Sequence, residues 1–145
     1  MTIVEQLTEI YLNEENWYKN EKMPKEEADK YHWKLLNDGN IITISDGDIL
    51  CGYVEHWRIS FEQFGRIICG ESFSGYHENI SNGQIAYVAN TYIRPEYRNS
   101  TTYKMLRDRF LDVNRDCTHF VGEARRKKSA PIKVFKREQL LERIR

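Results

Sequence analysis

Apolar positions recur at helical spacing in the first third of the chain and then switch to strict alternation. Ile3, Leu7, Ile10 and Tyr11 form a stripe whose separations bring them onto one face of an α-helix. Thr2 and Glu5 stand three residues apart at its start, the pattern of a capping box, and Asn13-Glu14-Glu15-Asn16 closes it. A second helix opens near Pro24, which suits a first turn. Ala28, Tyr31, Leu35 and Leu36 give it an apolar side, and Gly39 fits its C-terminal cap. His32 lies beside that side, as a satisfied boundary histidine rather than a ligand. The period then becomes two. Asn40 to Ile44 and Asp48 to Ile59 read as strands joined by a tight turn at Asp46-Gly47, which together make a β-hairpin. Unbroken alternation puts Ile49, Cys51, Tyr53, Glu55, Trp57 and Ile59 on one face of the second strand. Leu50, Gly52, Val54, His56 and Arg58 take the other.

Ser60 to Gly83 scatters Phe61, Phe64, Ile67, Ile68, Phe73 and Tyr76 among four glycines. A short strand or hairpin around Arg66 to Cys69 is expected there, followed by a long irregular connection of the kind that often shapes what a small domain binds. The stretch from Gln84 to Asp112 is the most organised of the chain. Ile85-Ala86-Tyr87-Val88-Ala89, continuing through Tyr92 and Ile93, predicts a buried strand. Arg94-Pro95-Glu96-Tyr97-Arg98 breaks it, and Asn99-Ser100-Thr101-Thr102 makes a polar turn. A helix follows with Tyr103, Leu106, Phe110 and Val113 on one face. A buried strand that feeds such a turn points unpaired backbone N–H groups and a positive dipole end at any anion placed there. Thr118 to Ala124 reads as a last strand, and Pro131 opens a closing helix with Phe135, Leu140, Leu141 and Ile144.

The run Ile93-Arg94-Pro95-Glu96-Tyr97-Arg98 and the helix behind it resemble the central strand-turn-helix of the GNAT superfamily of N-acetyltransferases. In pattern order the resemblance extends from Asn40 to the C-terminus; at motif grade it covers Ile93 to Leu106. It implies residues 1–145 as a single GNAT-like domain of α/β (α+β) class, with a mixed, mostly antiparallel central sheet flanked by helices and splayed between two central strands. It also implies acetyl-CoA as co-substrate, with the diphosphate held by Arg98, Asn99, Ser100, Thr101, Thr102 and Tyr103, and the thioester arm lying against the strand near Tyr92 and Ile93. Thr101 and Tyr103 stand where the family usually has Gly and Gly or Ala, and glycine there lets backbone approach phosphate closely. Phe135 stands near the position of the family's Tyr acid, and the chain stops before two further strands. The small size and shortened end would suit a bacteriophage-encoded protein acting in the host cytoplasm.

Composition narrows the class. The chain has 145 residues, 22 Lys and Arg against 22 Asp and Glu, and 40% hydrophobic residues, a length and make-up suited to one domain with a real core. Charge is unevenly spread: about −7 over the first 55 residues and about +6 after Thr118, counting side chains. Cys51, Cys69 and Cys117 are odd in number and lack CxxC spacing or nearby histidines, against a disulfide framework or zinc site and in favour of a reducing, cytoplasmic setting. No run is long and apolar enough to cross a membrane.

The acid–base candidates follow. Glu55 interrupts an apolar strand face between two aromatics, where burial would raise its pKa toward that of a general base near neutral pH; emergence into solvent is the ordinary alternative. Glu123 is a second candidate. Asn90, polar within the central strand, and Tyr87 either face the cleft or take ordinary core or sheet-edge roles, the latter being the default. Trp17 and Tyr18 either pack over the core edge or line an acceptor entrance. Arg125, Arg126, Lys127 and Lys128 are a solvated loop, or a surface for CoA phosphates, an acidic partner or nucleic acid. Two readings therefore stay open: direct transfer of an acetyl group from acetyl-CoA to an amine of a small molecule or protein in a ternary complex, and a catalytically inactive scaffold that binds a protein or nucleic acid through its basic C-terminal third. A third, modification of nucleic-acid bases, rests on the same fold. A sheet that ends early exposes an edge that a homodimer partner would cover.

Overall fold

A computed structural model describes residues 1–13, 22–71, 82–123, 132–136 and 139. Trp17, Tyr18 and the basic run Arg125 to Lys128 lie outside these residues, as do the side chains of Glu123 and Phe135.

Two helices come first, α1 (Ile3–Asn13) and α2 (Lys25–Asp38). The Thr2 hydroxyl accepts the Glu5 N–H at 3.1 Å, which satisfies one of the donors that a helix start leaves open. Gly39 ends α2 with φ 75°, a left-handed conformation in which a side chain would be strained. The hairpin follows as β1 (Ile41–Asp46) and β2 (Ile49–Ile59). Then come α3 (Phe61–Ile68), β3 (Ile85–Ile93), a 3-10 turn (Pro95–Tyr97), α4 (Ser100–Val113), β4 (His119–Glu123) and β5 (Ile132–Lys136).

Among the described residues the strands form one sheet in chain order, β1-β2-β3-β4-β5, in which β3 and β4 are parallel and the other neighbours antiparallel. The mixed, mostly antiparallel sheet expected from the sequence is thus present. α1 and α2 cover one face, where Leu7, Leu35, Tyr53, Trp57 and Tyr87 meet. α4 covers the other, over Ile42, Val54, Leu106, Phe110 and Phe120. Each of these large side chains contributes about 1.5–3 kcal/mol when taken fully out of water.

Three expectations are corrected. The segment expected as a strand around Arg66 to Cys69 belongs to α3 and its cap. The Ser60 hydroxyl accepts the Gln63 N–H at 3.1 Å while the Gln63 side chain accepts the Ser60 N–H at 2.9 Å, a reciprocal cap that nucleates a helix. Cys69, just past that helix, is exposed, whereas Cys51 and Cys117 are buried. The segment after Pro131 expected as a helix is β5, paired antiparallel with β4; the alternation in Ile132-Lys133-Val134-Phe135-Lys136 suits an extended strand. Finally, β2 does not alternate without a break. A bulge beside Ile44 and Ser45 returns Leu50 to the same face as Tyr53 and sends Cys51 to the face of Val54. An extra residue reverses the phase of a strand.

A buried amide fixes α1 to the sheet. Gln6, 5% exposed, donates to the Asp48 carbonyl at 2.7 Å and accepts the Leu50 N–H at 2.8 Å. Arg94 donates to the Leu50 carbonyl at 2.6 Å from the end of β3. Gln6→Leu keeps most of the volume and orphans the buried Leu50 N–H, so urea unfolding should show a loss of about 1–3 kcal/mol.

Candidate functional site

The site begins where β3 leaves the sheet. Pro95 cannot continue a ladder, and the chain turns through Pro95–Tyr97 into α4. Asn99 caps α4: its side-chain oxygen accepts the Thr102 N–H at 3.0 Å and the Thr102 hydroxyl at 3.3 Å. The Tyr103 N–H goes to the Asn99 carbonyl at 3.2 Å. The N–H groups of Ser100 and Thr101 meet no backbone acceptor outside the helix among the described residues, and both residues are exposed. Arg98 folds back from the turn. Its Nε–H donates to the Ile93 carbonyl at 2.7 Å, and its guanidinium carbon lies 5.5 Å from the Tyr92 ring centroid. A cation and a helix start thus share one turn at the end of β3, an arrangement that favours an anion.

The described β3–β4 pairing stops short of this turn. β3 and β4 pair at Ile85↔His119, Ala86↔Phe120, Tyr87↔Val121 and Val88↔Gly122. β3 then continues to Ile93, still paired with β2 as far as Gly52↔Ile93. From Ala89 onward no β4 rung faces it among the described residues. Val88↔Gly122 is thus the last rung among the described residues, one residue before the described part of β4 ends, and it is here that the two central strands are expected to splay. Beneath α4, against this last rung, is a cavity of about 270 Å³ bounded by Val54, Val88, Thr91, Leu106, Phe110 and Gly122, with Tyr103 and Arg107 on its helix side. Tyr103 is 44% exposed, so it walls the space rather than filling it. The helix face expected as Tyr103, Leu106, Phe110 and Val113 is buried as Thr102, Leu106, Phe110 and Leu111, leaving Val113 outside.

On the opposite face, Glu55 is half-buried under α2. Its Oε2 accepts the Tyr31 hydroxyl at 3.3 Å and the Trp57 indole N–H at 3.2 Å. Across the ladder Glu55 pairs with Asn90, and the register then skips Ala89, because His56 pairs with Val88. This bulge keeps Asn90 on the α1–α2 face, where its amide donates to the Tyr53 hydroxyl at 3.3 Å. The Tyr53 and Tyr92 rings lie 6.2 Å apart. Of the residues singled out from sequence, Glu55, Asn90 and Tyr92 therefore gather on one face at the splay. Arg98, Asn99, Ser100 and Thr101 gather at the turn, and Tyr103 at the cavity. Thr102 is buried in its cap and Ile93 in the core below α4. The strand of Glu123 is described, although its side chain is not.

Sequence reasoning missed Gly122, Thr91, Val54 and Arg107 as lining, and Tyr31 and Trp57 as partners of Glu55. Trp57 was within reach, two positions from Glu55 on one strand face. Tyr31 was not, since it approaches from a helix far away in sequence. Among the described residues no group of three or more His, Cys, Asp or Glu is arranged to hold a metal, and no helix is long and apolar enough to cross a membrane.

No protein-family model matches this sequence, and no curated protein matches it. Solved structures do. The GNAT-like decarboxylase GphF in complex with isobutyryl-CoA superposes with a TM-score of 0.60 at 13% identity, over 83% of this chain. The loading GNATL domain of CurA from Lyngbya majuscula gives 0.58 at 16% identity, over 90% of this chain. This chain spans 60% and 68% of their respective lengths. With the sheet order and the parallel β3–β4 pair described above, these likenesses establish that the chain has the GNAT-like fold.

Proposed function

We propose that this protein binds a CoA thioester along the splay between β3 and β4 and transfers its acyl group to an amine. Acetyl-CoA is the smallest donor of this class. The single observation that carries the reading is that β3 runs on past the last rung with β4 among the described residues, Val88↔Gly122, with a cavity on one face and a hydrogen-bonded carboxylate on the other. The isobutyryl-CoA in the GphF complex supports the same ligand chemistry on this fold.

In this reading the diphosphate rests on Arg98 and the N–H groups of Ser100 and Thr101. The amide-bearing arm runs along the edge of β3, and the thioester carbonyl lies near Tyr92, where strand N–H groups polarise it. The acceptor arrives from the α1–α2 face. Glu55 takes one proton from the ammonium, and the amine lone pair attacks the carbonyl carbon. As the C–N bond forms and the C–S bond breaks, the second proton passes from the tetrahedral adduct to the departing sulfur, which leaves as CoA thiol. Asn90 holds the acceptor side through Tyr53. No covalent enzyme intermediate is needed, because both reactants meet at the gap.

Calorimetric titration with acetyl-CoA tests this. Arg98→Ala removes a charge-assisted contact of about 1.5–3 kcal/mol and should weaken binding about 10- to 100-fold. Absence of heat with CoA and with every CoA thioester at millimolar concentration would overturn the reading.

A further inference from the structure

We infer, building on the reading above, that the cavity beneath α4 holds the hydrocarbon chain of the acyl group, and that the donor carries a medium-length acyl chain in preference to acetyl. The cavity measures about 270 Å³. A dry apolar cavity of about 150 Å³ accommodates benzene, so this space takes roughly twice as many heavy atoms, far more than the single methyl of an acetyl group.

The lining decides which part of a thioester enters. Val54, Val88, Leu106, Phe110 and Phe120 supply most of the wall, and the polar side chains are Thr91, Tyr103 and Arg107. Thr91 and Tyr103 are exposed, and Arg107 directs Nε and Nη2 to Asp108 at 2.9 and 2.8 Å, so the inner wall is hydrocarbon. The arm of CoA contains two amides. Each would cost several kcal/mol if buried without a partner, and this wall offers them none at depth. Strand backbone at the splay suits those amides, whereas the cavity suits a chain with no polar atoms. Its wall runs from the Val88↔Gly122 rung to Thr91, the neighbour of Tyr92, which brings the cavity up to the point where the thioester carbonyl would lie.

Gly122 provides a clean means of closing it. A Cβ built there would meet only Val88 Cβ, at 4.0 Å, so a side chain at this position projects toward the cavity without striking backbone. The test is calorimetry with CoA, acetyl-, butyryl-, hexanoyl- and octanoyl-CoA and free hexanoate, on the intact protein and on Gly122→Leu, with Gly122→Ala as the milder change should the first variant not fold. Affinity should rise about fourfold for each added methylene until the cavity is full. The variants should cut that rise short, so that the ratio of octanoyl- to acetyl-CoA affinity falls by about tenfold or more. Equal affinity for acetyl- and octanoyl-CoA, a chain-length series unchanged by both variants, or hexanoate binding as tightly as hexanoyl-CoA would each overturn the inference while leaving CoA binding itself intact. Failure of CoA and all its thioesters to bind would instead overturn the underlying function.

Discussion

Glu55→Gln is expected to lower the rate of acyl transfer about 10²- to 10⁴-fold, the range that a positioned general base contributes, while the affinity for the CoA thioester stays unchanged. The substitution preserves shape. A glutamine oxygen still accepts from the Tyr31 hydroxyl and the Trp57 indole N–H, which hold the carboxylate at 3.3 and 3.2 Å. What it removes is the capacity to take a proton. Single-turnover rates with a fixed amine acceptor, measured alongside calorimetric affinity for the donor, separate the two effects. The loss should appear in the chemical step and shrink as pH rises toward the pKa of the free amine, because a neutral amine needs no base. A variant that retained full turnover would take Glu55 out of the mechanism and make Glu123→Gln the informative change.

Acidification from about pH 7.5 to about pH 5 should lower the free energy of unfolding by roughly 4 kcal/mol, about half from His32 and half from His56. Both rings are buried, at 7% and 4% exposure. Burial pushes each pKa down from 6.5 to about 4, with the neighbouring Arg58 adding to the effect at His56 and Asp29 opposing it at His32. A histidine whose folded pKa is depressed binds fewer protons folded than unfolded. Its contribution is therefore complete above pH 6.5 and declines as pH falls toward 4. At pH 5 the unfolded state has gained about 1.5 pH units of protonation that the folded state has not, or about 2 kcal/mol per ring. The surroundings explain why neither ring charges readily. His32 shares a 2.9 Å hydrogen bond with the Thr8 hydroxyl between the rings of Tyr11 and Tyr31. His56 lies edge-on to Phe110 and beside the Asn114 amide, and its Nε2 meets no hydrogen-bond partner among the described residues. Urea unfolding at the two pH values gives the total, and His56→Leu should remove about half of the difference. Below pH 4 a further loss should begin, because the Thr8 hydroxyl, with help from Lys25, holds the Asp29 carboxyl, and Arg58 holds that of Asp116, below the usual carboxylate range. An unfolding free energy that stayed level from pH 7.5 to 5 would show that these rings accept protons in the folded state.

Elements with a local cause were legible in the sequence. Thr2 and Gly39 mark helix ends through their own backbone chemistry, and Asp46-Gly47 marks the hairpin. The polar turn before α4 was visible because it follows a long apolar strand and a proline. α3 was missed although Ser60 and Gln63 carry its cap, because the glycines and phenylalanines around them match neither period well. β5 was missed because a proline before it suits a helix start equally, and only its partner β4 decides. The carboxylate at Glu55 was legible as a break in an apolar face. Its hydrogen-bond partner Tyr31 and the cavity under α4 were not, since both arise from elements brought together by the sheet. Gly122 carries no local signal at all: its importance is that it stands on the last rung.

The bulge at Ala89 has a bearing on how roles are carried between distant proteins of this architecture. Up to Val88 odd and even positions of the strand look toward fixed sides, and beyond Ala89 the assignment is inverted. Reading the segment as an uninterrupted zigzag would put Thr91 on the α1–α2 side and Asn90 on the α4 side, the reverse of where they stand. For a chain at 13–16% identity to its structural neighbours, function transferred past this point should be counted by which layer of helices a side chain looks toward, and only then by its place in the letter string.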